Sequence, residues 1–316
     1  MNVGIFDLKK SIGWIVTIVV LILLATLTLY GSQYTIILFT SILMYVILTG
    51  SWTIFSGPTG YLSLAPAAFF GVGIYTSAIL GTKMAIPLVV VMGGLVSACL
   101  ALLAGALTLR LRGVYFTIFT FGLLELIKHF VLWLEINLTG LRGRFVVVVD
   151  QNVIYNIMVI IFIVLLLTAY LIRRSKYGIA LQSIGDNEEA ASHIGINVTL
   201  LKVIVFAISA FFMGAAGAIM ATRWTYIDPY IAFNWFFSFT TVLMAIFGGI
   251  GSFFGPILGA TIFSYLEELL LTKFPYYYML VFGIILVVTV VFLPNGLTGL
   301  IQDIWKGVFR NKNGDS

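Results

Sequence analysis

Charge is scarce in this sequence: 12 Asp and Glu and 17 Lys and Arg among 316 residues, 9% in all. A water-soluble domain carries about 25% charged residues. That shortfall, with 61% hydrophobic residues and a mean hydropathy of +1.12, excludes a soluble globular fold. The one cysteine, Cys99, lies in an apolar run, so an intrachain disulfide is excluded and no redox compartment is indicated. The two histidines, His129 and His193, are too few and too far apart in sequence to suggest a metal site. H-E-x-x-H, C-x-x-C and G-x-S-x-G are absent. So is G-x-x-x-x-G-K-S/T, which leaves the chain without a phosphate-cradling loop. Together these absences predict no catalytic centre, no metal and no cofactor held by this chain.

What is present is apolar length. Hydrophobic runs occupy residues about 12–30, 35–54, 61–81, 86–109, 114–134, 153–172, 203–222, 236–256, 257–272 and 277–293. A helical crossing of the bilayer needs about 20 such residues. The runs therefore predict an all-α, polytopic transmembrane helix bundle of about ten spans, forming one domain over 1–316 with broken or re-entrant helices. The first run follows Lys9 and Lys10 as a signal peptide would, yet it is 19 residues long and no A-x-A site follows it, so a retained helix is expected.

Basic residues set the orientation. With the N-terminus inside, ten spans place Lys9, Lys10, Arg110, Arg112, Arg173, Arg174, Lys176, Lys202, Lys306, Arg310 and Lys312 on one side. The opposite side receives Lys83, Arg142, Arg144, Arg223 and Lys273, and Lys128 falls within a span. Basic residues favour cytoplasmic loops, so both termini are predicted to be cytoplasmic, with a short tail at about 302–316.

The loop at about 173–202 is then cytoplasmic, and it contains a polar island, SIGDNEEAASHIGIN (183–197). Asp186 three residues before Glu189 predicts a capping box opening a helix of about eight residues. Glu188 and Glu189 fall in the first turn, where the helix dipole favours carboxylates, and Gly195 is placed to stop the helix in a left-handed conformation. Ala190 and Ala191 offer a small apolar face, with Ile194 and Ile196 adding bulk beside it. A helix this short is marginal alone, since isolation requires roughly 12–15 residues. It is either a connector packed on its own bundle or a docking helix for a cytoplasmic partner.

Glu189-Ala190-Ala191-Ser192-His193-Ile194-Gly195 resembles E-A-A-x-x-x-G, the coupling-loop signature of permease subunits in ABC importers. The stretch 177–221, beginning YGIALQSIGDNEEAASHIGIN, is similar to LivM-type permeases of branched-chain amino acid importers. So are GYLSLAPAAFFGVGIYTSAIL (60–80), LRLRGVYFTIFTFGLLELIK (109–128), FGGIGSFFGPILGA (247–260) and FLPNGLTGL (292–300). Val205-Phe206-Ala207-Ile208 stands where other importer permeases carry I-x-L-P, which points away from the maltose type. The loop LTGLRGR (138–144) departs from the glycine-rich pattern of the family.

The resemblance implies a permease subunit forming part of the translocation path for leucine, isoleucine and valine. Two ABC ATPase subunits would hold ATP and Mg, a second LivH-type permease would complete the pore, and an extracytoplasmic binding protein would deliver substrate. Asp186, Glu188, Glu189, Ala190, Ala191 and Gly195 would couple the chain to the ATPase. Relatives of the same architecture that import urea, short amides or other amino acids are an alternative, as is a self-sufficient secondary transporter or channel with Glu125 as a proton site.

Four residues are candidates for the path. Glu125 lies at bilayer depth with Lys128 and His129, and charges there are functional candidates by default. Its i, i+3 spacing to Lys128 equally predicts mutual neutralisation. Ser63 and Pro66 lie in the glycine-rich stretch 57–73, and Pro256 in a second one at 248–260. Each proline is expected to interrupt a membrane helix by removing a backbone donor, and paired interruptions point to transport sites. Close packing through small residues is the competing reading. Glu267 and Glu268, near the end of the ninth run, are expected to reach the interface.

Overall fold

The computed structural model describes residues 21–111, 113–252, 254–277 and positions 280, 281, 283, 284, 287 and 296–299. Helix follows helix: α1 (Leu21–Tyr30), α2 (Gln33–Thr59), α3 (Pro66–Leu80), α4 (Ile86–Thr108), α5 (Val114–Thr139) and α6 (Gln151–Arg174). The next are α7 (Lys176–Asp186), α8 (Glu188–His193), α9 (Val198–Ala221), α10 (Pro229–Ala232), α11 (Trp235–Gly248) and α12 (Phe254–Lys273). Two short strands, β1 (Arg144–Phe145) and β2 (Tyr226–Ile227), pair antiparallel with Arg144 opposite Ile227.

This is the all-α polytopic architecture that the composition predicts, but with a smaller number of full spans. Among the described residues 7 helical stretches are long and apolar enough to cross a membrane, in place of the ten expected, with α10 and α11 together making one of them. The run at 61–81 accounts for part of the difference. It opens as non-helical backbone, and its helix α3 has only 15 residues. At 1.5 Å per residue that is about 22 Å, short of the roughly 30 Å hydrocarbon core. The first run is described only from Leu21, and most of the tenth run and the tail at 302–316 lie outside the described residues. The expected boundary near residue 256 also moves: α11 stops at Gly248 and α12 begins at Phe254.

The prolines act differently from the expectation. Pro66 is the first residue of α3 and Pro256 lies in the first turn of α12. Both therefore open helices, where a missing N–H costs nothing. The interruptions are the non-helical segments just before them, and Gly60 starts the first of these in the left-handed region at φ 70°.

The bundle is organised around α9, whose residues from Leu201 to Ala221 are almost all buried. Its small residues let α3 and α4 approach at backbone distance. A Cβ added at Gly73 would overlap the Gly214 carbonyl, and one at Gly217 would overlap the Phe70 carbonyl. One at Gly93 would stand 2.6 Å from the Ala218 Cβ. Such close contact is how helices associate where no water is available to drive them together. By contrast α5 is mostly exposed on its apolar side chains, including Leu126, Phe130 and Trp133, as a lipid-facing helix would be.

Contacts between elements separate the two ends of the bundle. Tyr61, Leu109, Glu188 and Lys202 meet at one end, whereas Glu135 meets Arg144 and Arg223 meets Ser41 at the other. The seven long apolar stretches make this a multi-pass membrane protein, and the distribution of basic residues predicts a cytoplasmic position for the first end.

Candidate functional site

The polar island folds as two helices. Asp186 remains helical as the last residue of α7, so it does not cap α8 as expected. Asn187 does, its Oδ1 accepting from the Ala190 N–H at 3.0 Å, because the chain turns extended there (φ -159°). The helix is consequently 6 residues long rather than eight. Its stop agrees with the expectation: Gly195 has φ 89°, and the Ile196 N–H reaches back to the Ala191 carbonyl at 3.2 Å. Asp186 instead lines a cleft of about 240 Å³ with Pro58, Arg173, Gln182 and Ser252.

The expected small face splits in two, since consecutive helical residues point about 100° apart. Ala191 is buried against the bundle, while Ala190, Glu189 and Ser192 are exposed. Ile194 is 73% exposed, whereas Ile196 is half-buried. Glu188 turns inward and Glu189 outward, so only Glu189 is available to a partner.

Glu188 meets a lysine that the sequence reading placed in a loop. Because α9 begins at Val198, Lys202 lies in its second turn and is 0% exposed. Its Nζ donates to Glu188 Oε1 at 2.9 Å, to the Tyr61 hydroxyl at 3.1 Å and to the Leu109 carbonyl at 3.0 Å. Tyr61 in turn donates to Glu188 Oε2 at 2.5 Å. The buried cation thus has a carboxylate partner and three acceptors for its three protons, as burial of charge requires. The signal in the sequence was Lys202 as the single charge in LLKVIVF.

Beyond Tyr61 the chain enters the bundle as non-helical backbone through residues 60–65. Irregular backbone at this depth must find partners inside the protein, and side chains from three helices supply them. Trp52 Nε1 donates to the Ser63 carbonyl at 2.8 Å, and Thr117 Oγ1 donates to the Leu62 carbonyl at 2.8 Å. Thr120 Oγ1 accepts from the Leu64 N–H at 2.9 Å. Ser238 Oγ accepts from the Ala67 N–H and donates to the Leu64 carbonyl, both at 2.9 Å. Ser63 itself is buried, with its Oγ accepting from the Ala65 N–H at 3.2 Å. Ser238→Val would strip partners from a buried and a half-buried backbone group, at up to about 1–3 kcal/mol each. The thermal midpoint of the purified protein should fall clearly in Ser238→Val and be retained in Ser238→Thr.

The other path candidates have partners of their own. Glu125 and Lys128 neutralise each other, Nζ standing 2.6 Å from Oε1, and His129 Nε2 is 3.7 Å from Oε2. Pro256 is buried beside Gly248, remote in sequence from the Ser63–Pro66 break. Glu267 turns inward to Tyr45 instead of reaching the interface, and its Oε2 is buried without a hydrogen-bond partner among the described residues.

At the opposite end a carboxylate absent from the sequence reading is the organiser. Glu135, 2% exposed, accepts from Arg144 Nε at 2.8 Å, the Gly143 N–H at 2.7 Å and the Tyr75 hydroxyl at 3.3 Å. Tyr75 stacks on Phe233 at 5.6 Å. This network fixes the loop after α5 against α3, and Tyr226 in β2 donates to the Arg142 carbonyl beside it. Its sequence signal was weak: Glu135 is one carboxylate in a run whose neighbours suggest only a helix end.

Residues 34–290 match the family described as branched-chain amino acid transport system / permease component. The chain is 29% identical over 296 residues to the high-affinity branched-chain amino acid transport system permease protein LivM of Salmonella typhimurium, covering 82% of this chain and 68% of that one. It is 28% identical over 145 residues to LivH of the same organism, covering 45% and 46% of the two chains. A ribose import permease protein, RbsC of Haemophilus influenzae, is 29% identical over 137 residues, or 42% of each chain. No solved structure matches the chain. With its helical bundle and the match running from α2 to beyond α12, the chain belongs to the permease-component family of branched-chain amino acid transport systems.

Proposed function

We propose that this chain is the LivM-type half of the membrane pore of an ABC importer for leucine, isoleucine and valine. The observation that carries the reading is the family match over residues 34–290, joined to a capped surface helix at the position of the E-A-A-x-x-x-G signature. In this reading the loop 173–202 couples the pore to two ATPase subunits, which hold ATP and Mg. Glu189, Ala190 and Ser192 form the face presented to them, Ala191 and Glu188 anchor α8 to the bundle, and Gly195 ends it. Asp186 ends α7 in the neighbouring cleft.

A LivH-type permease forms the other half of the pore, and a binding protein docks outside near the Glu135–Arg144 loop. The breaks before Pro66 and Pro256 are assigned to the translocation path, with Ser63 at the first of them. Glu125 flanks the path as a neutralised pair with Lys128. The chain itself holds neither cofactor nor metal and has no catalytic centre.

The test is reconstitution with both ATPases, the sister permease and the binding protein in proteoliposomes. ATP-driven, binding-protein-dependent uptake of labelled leucine is expected, with urea and ribose excluded when run in parallel. Urea or ribose uptake alone would replace the substrate and keep the mechanism. Uptake by this chain alone, driven by a pH gradient and abolished by Glu125→Gln, would overturn the subunit reading.

A further inference from the structure

We infer that Lys202 is the joint through which movement of α8 reaches the break before Pro66, a positioning role that rests on the reading of α8 as the ATPase-docking helix. Four segments converge on its ammonium group: α8 through Glu188, α9 through its own backbone, the cap of α4 through the Leu109 carbonyl, and the segment 60–65 through Tyr61. The three contacts at 2.9–3.1 Å use all three of its protons.

Among the described residues, Glu188 is the carboxylate within ion-pair distance of Lys202. Lys202 Nζ lies 4.4 Å from the centre of the Tyr61 ring. That ring packs edge-on against Phe116 at 5.3 Å, and Phe206 lies 4.9 Å from Phe55 behind it. If α8 shifted while Lys202 and Tyr61 stayed, a fully buried cation lying against an aromatic ring would lose its counterion. Breaking a buried pair in this way is far more costly than moving its members together. Tyr61 therefore travels with α8.

The next residues pass the displacement on. Leu62 and Leu64 are bonded to Thr117 and Thr120 of α5, and Leu64 and Ala67 to Ser238 of α11. A second contact acts in parallel, because Gly185 at the end of α7 lies against the Pro58 carbonyl so closely that no Cβ fits. Displacement of α7 and α8 thus arrives at both sides of the left-handed Gly60 that starts the break.

The joint makes a distinction that an ordinary buried ion pair does not. Tyr61→Phe keeps the ring and leaves Lys202 bonded to Glu188 and Leu109, removing only the hydroxyl that ties both to the segment 60–65. In the reconstituted full complex, Tyr61→Phe should retain ATP hydrolysis within about twofold while leucine uptake falls about tenfold, the loss expected for one hydrogen bond to a charged group. ATP consumed per leucine then rises about fivefold or more. Lys202→Met should move the same ratio in the same direction.

Parallel loss of uptake and hydrolysis at a constant ratio, or no change in either, overturns the joint. If Lys202→Met fails to assemble, Tyr61→Phe decides alone. Failure of the wild-type chain to co-purify with the ATPases would instead sink the docking reading, and the joint with it.

Discussion

Charge reversal at two adjacent glutamates should produce opposite outcomes. Glu188→Lys places a second cation beside Lys202 and removes its only carboxylate partner among the described residues. Breaking a buried pair costs about 3–5 kcal/mol, a large share of the roughly 5–15 kcal/mol that holds a protein folded. The variant is expected to accumulate poorly or to melt at a much lower temperature, whatever partner is present. Glu189→Lys leaves the fold within about 0.5 kcal/mol, as exposed substitutions usually do. Its effect should appear only on the ATPase, as a co-purification weakened about tenfold, or about 1.4 kcal/mol. Thermal melting of each purified variant, followed by pull-down with the ATPase, separates the two. Equal melting temperatures for Glu188→Lys and wild type would contradict the inward assignment of Glu188.

Gly73→Val should cause the larger structural failure. Its side chain would have to occupy the space of the Gly214 carbonyl, where α3 crosses α9. Overpacking by a flexible neighbour costs about 1–3 kcal/mol, and here backbone on both sides must move, so the cost lies at or above the top of that range. The bundle axis is α9, so the same displacement disturbs α4, whose Gly93 rests on Ala218. Gly122 provides the control, because a Cβ there meets nothing within 4 Å. Gly122→Ala lies in the interior of α5 and should stabilise that helix by up to about 1 kcal/mol. Detergent-solubilised melting curves should show Gly73→Val far below wild type and Gly122→Ala at or above it. Similar curves for both would contradict the glycine-mediated crossing.

The sequence carried the solvent, the helical class and the position of the surface helix, because apolar run length and a polar island are local signals. Gly195 was legible for the same reason: a glycine after a short helical pattern is a stop. The cap was misplaced by one residue because Asp186 and Asn187 are both good capping residues, and only the extent of α7 decides between them. The span 61–81 was misread because hydropathy does not distinguish irregular backbone from helix when the protein itself supplies its hydrogen-bond partners. What makes the non-helical part possible, namely Trp52, Thr117, Thr120 and Ser238, comes from three other helices.

The Lys202 site was illegible for a related reason. Glu188 and Lys202 are 14 residues apart, while Tyr61 is 141 residues from Lys202. No periodicity links such positions. A lone lysine at the border of an apolar run reads as the end of the cytoplasmic loop, whereas the packing of α4 and the 60–65 segment against it makes it buried. Glu135 was missed likewise, since its partners Tyr75 and Arg144 belong to another helix and a strand.

The central claim is that α8 is the surface at which a motor engages this chain. Its most direct test is a single cysteine at Ser192, which is exposed on the outward face, introduced into a Cys99→Ser background of the assembled complex. Cross-linking to a cysteine series across the ATPase surface should occur in high yield at Ser192→Cys and change when ATP is added. Cross-links that form instead only from the turn at Gly249–Ser252, with Ser192→Cys unreactive toward the ATPase in every nucleotide state, would contradict it.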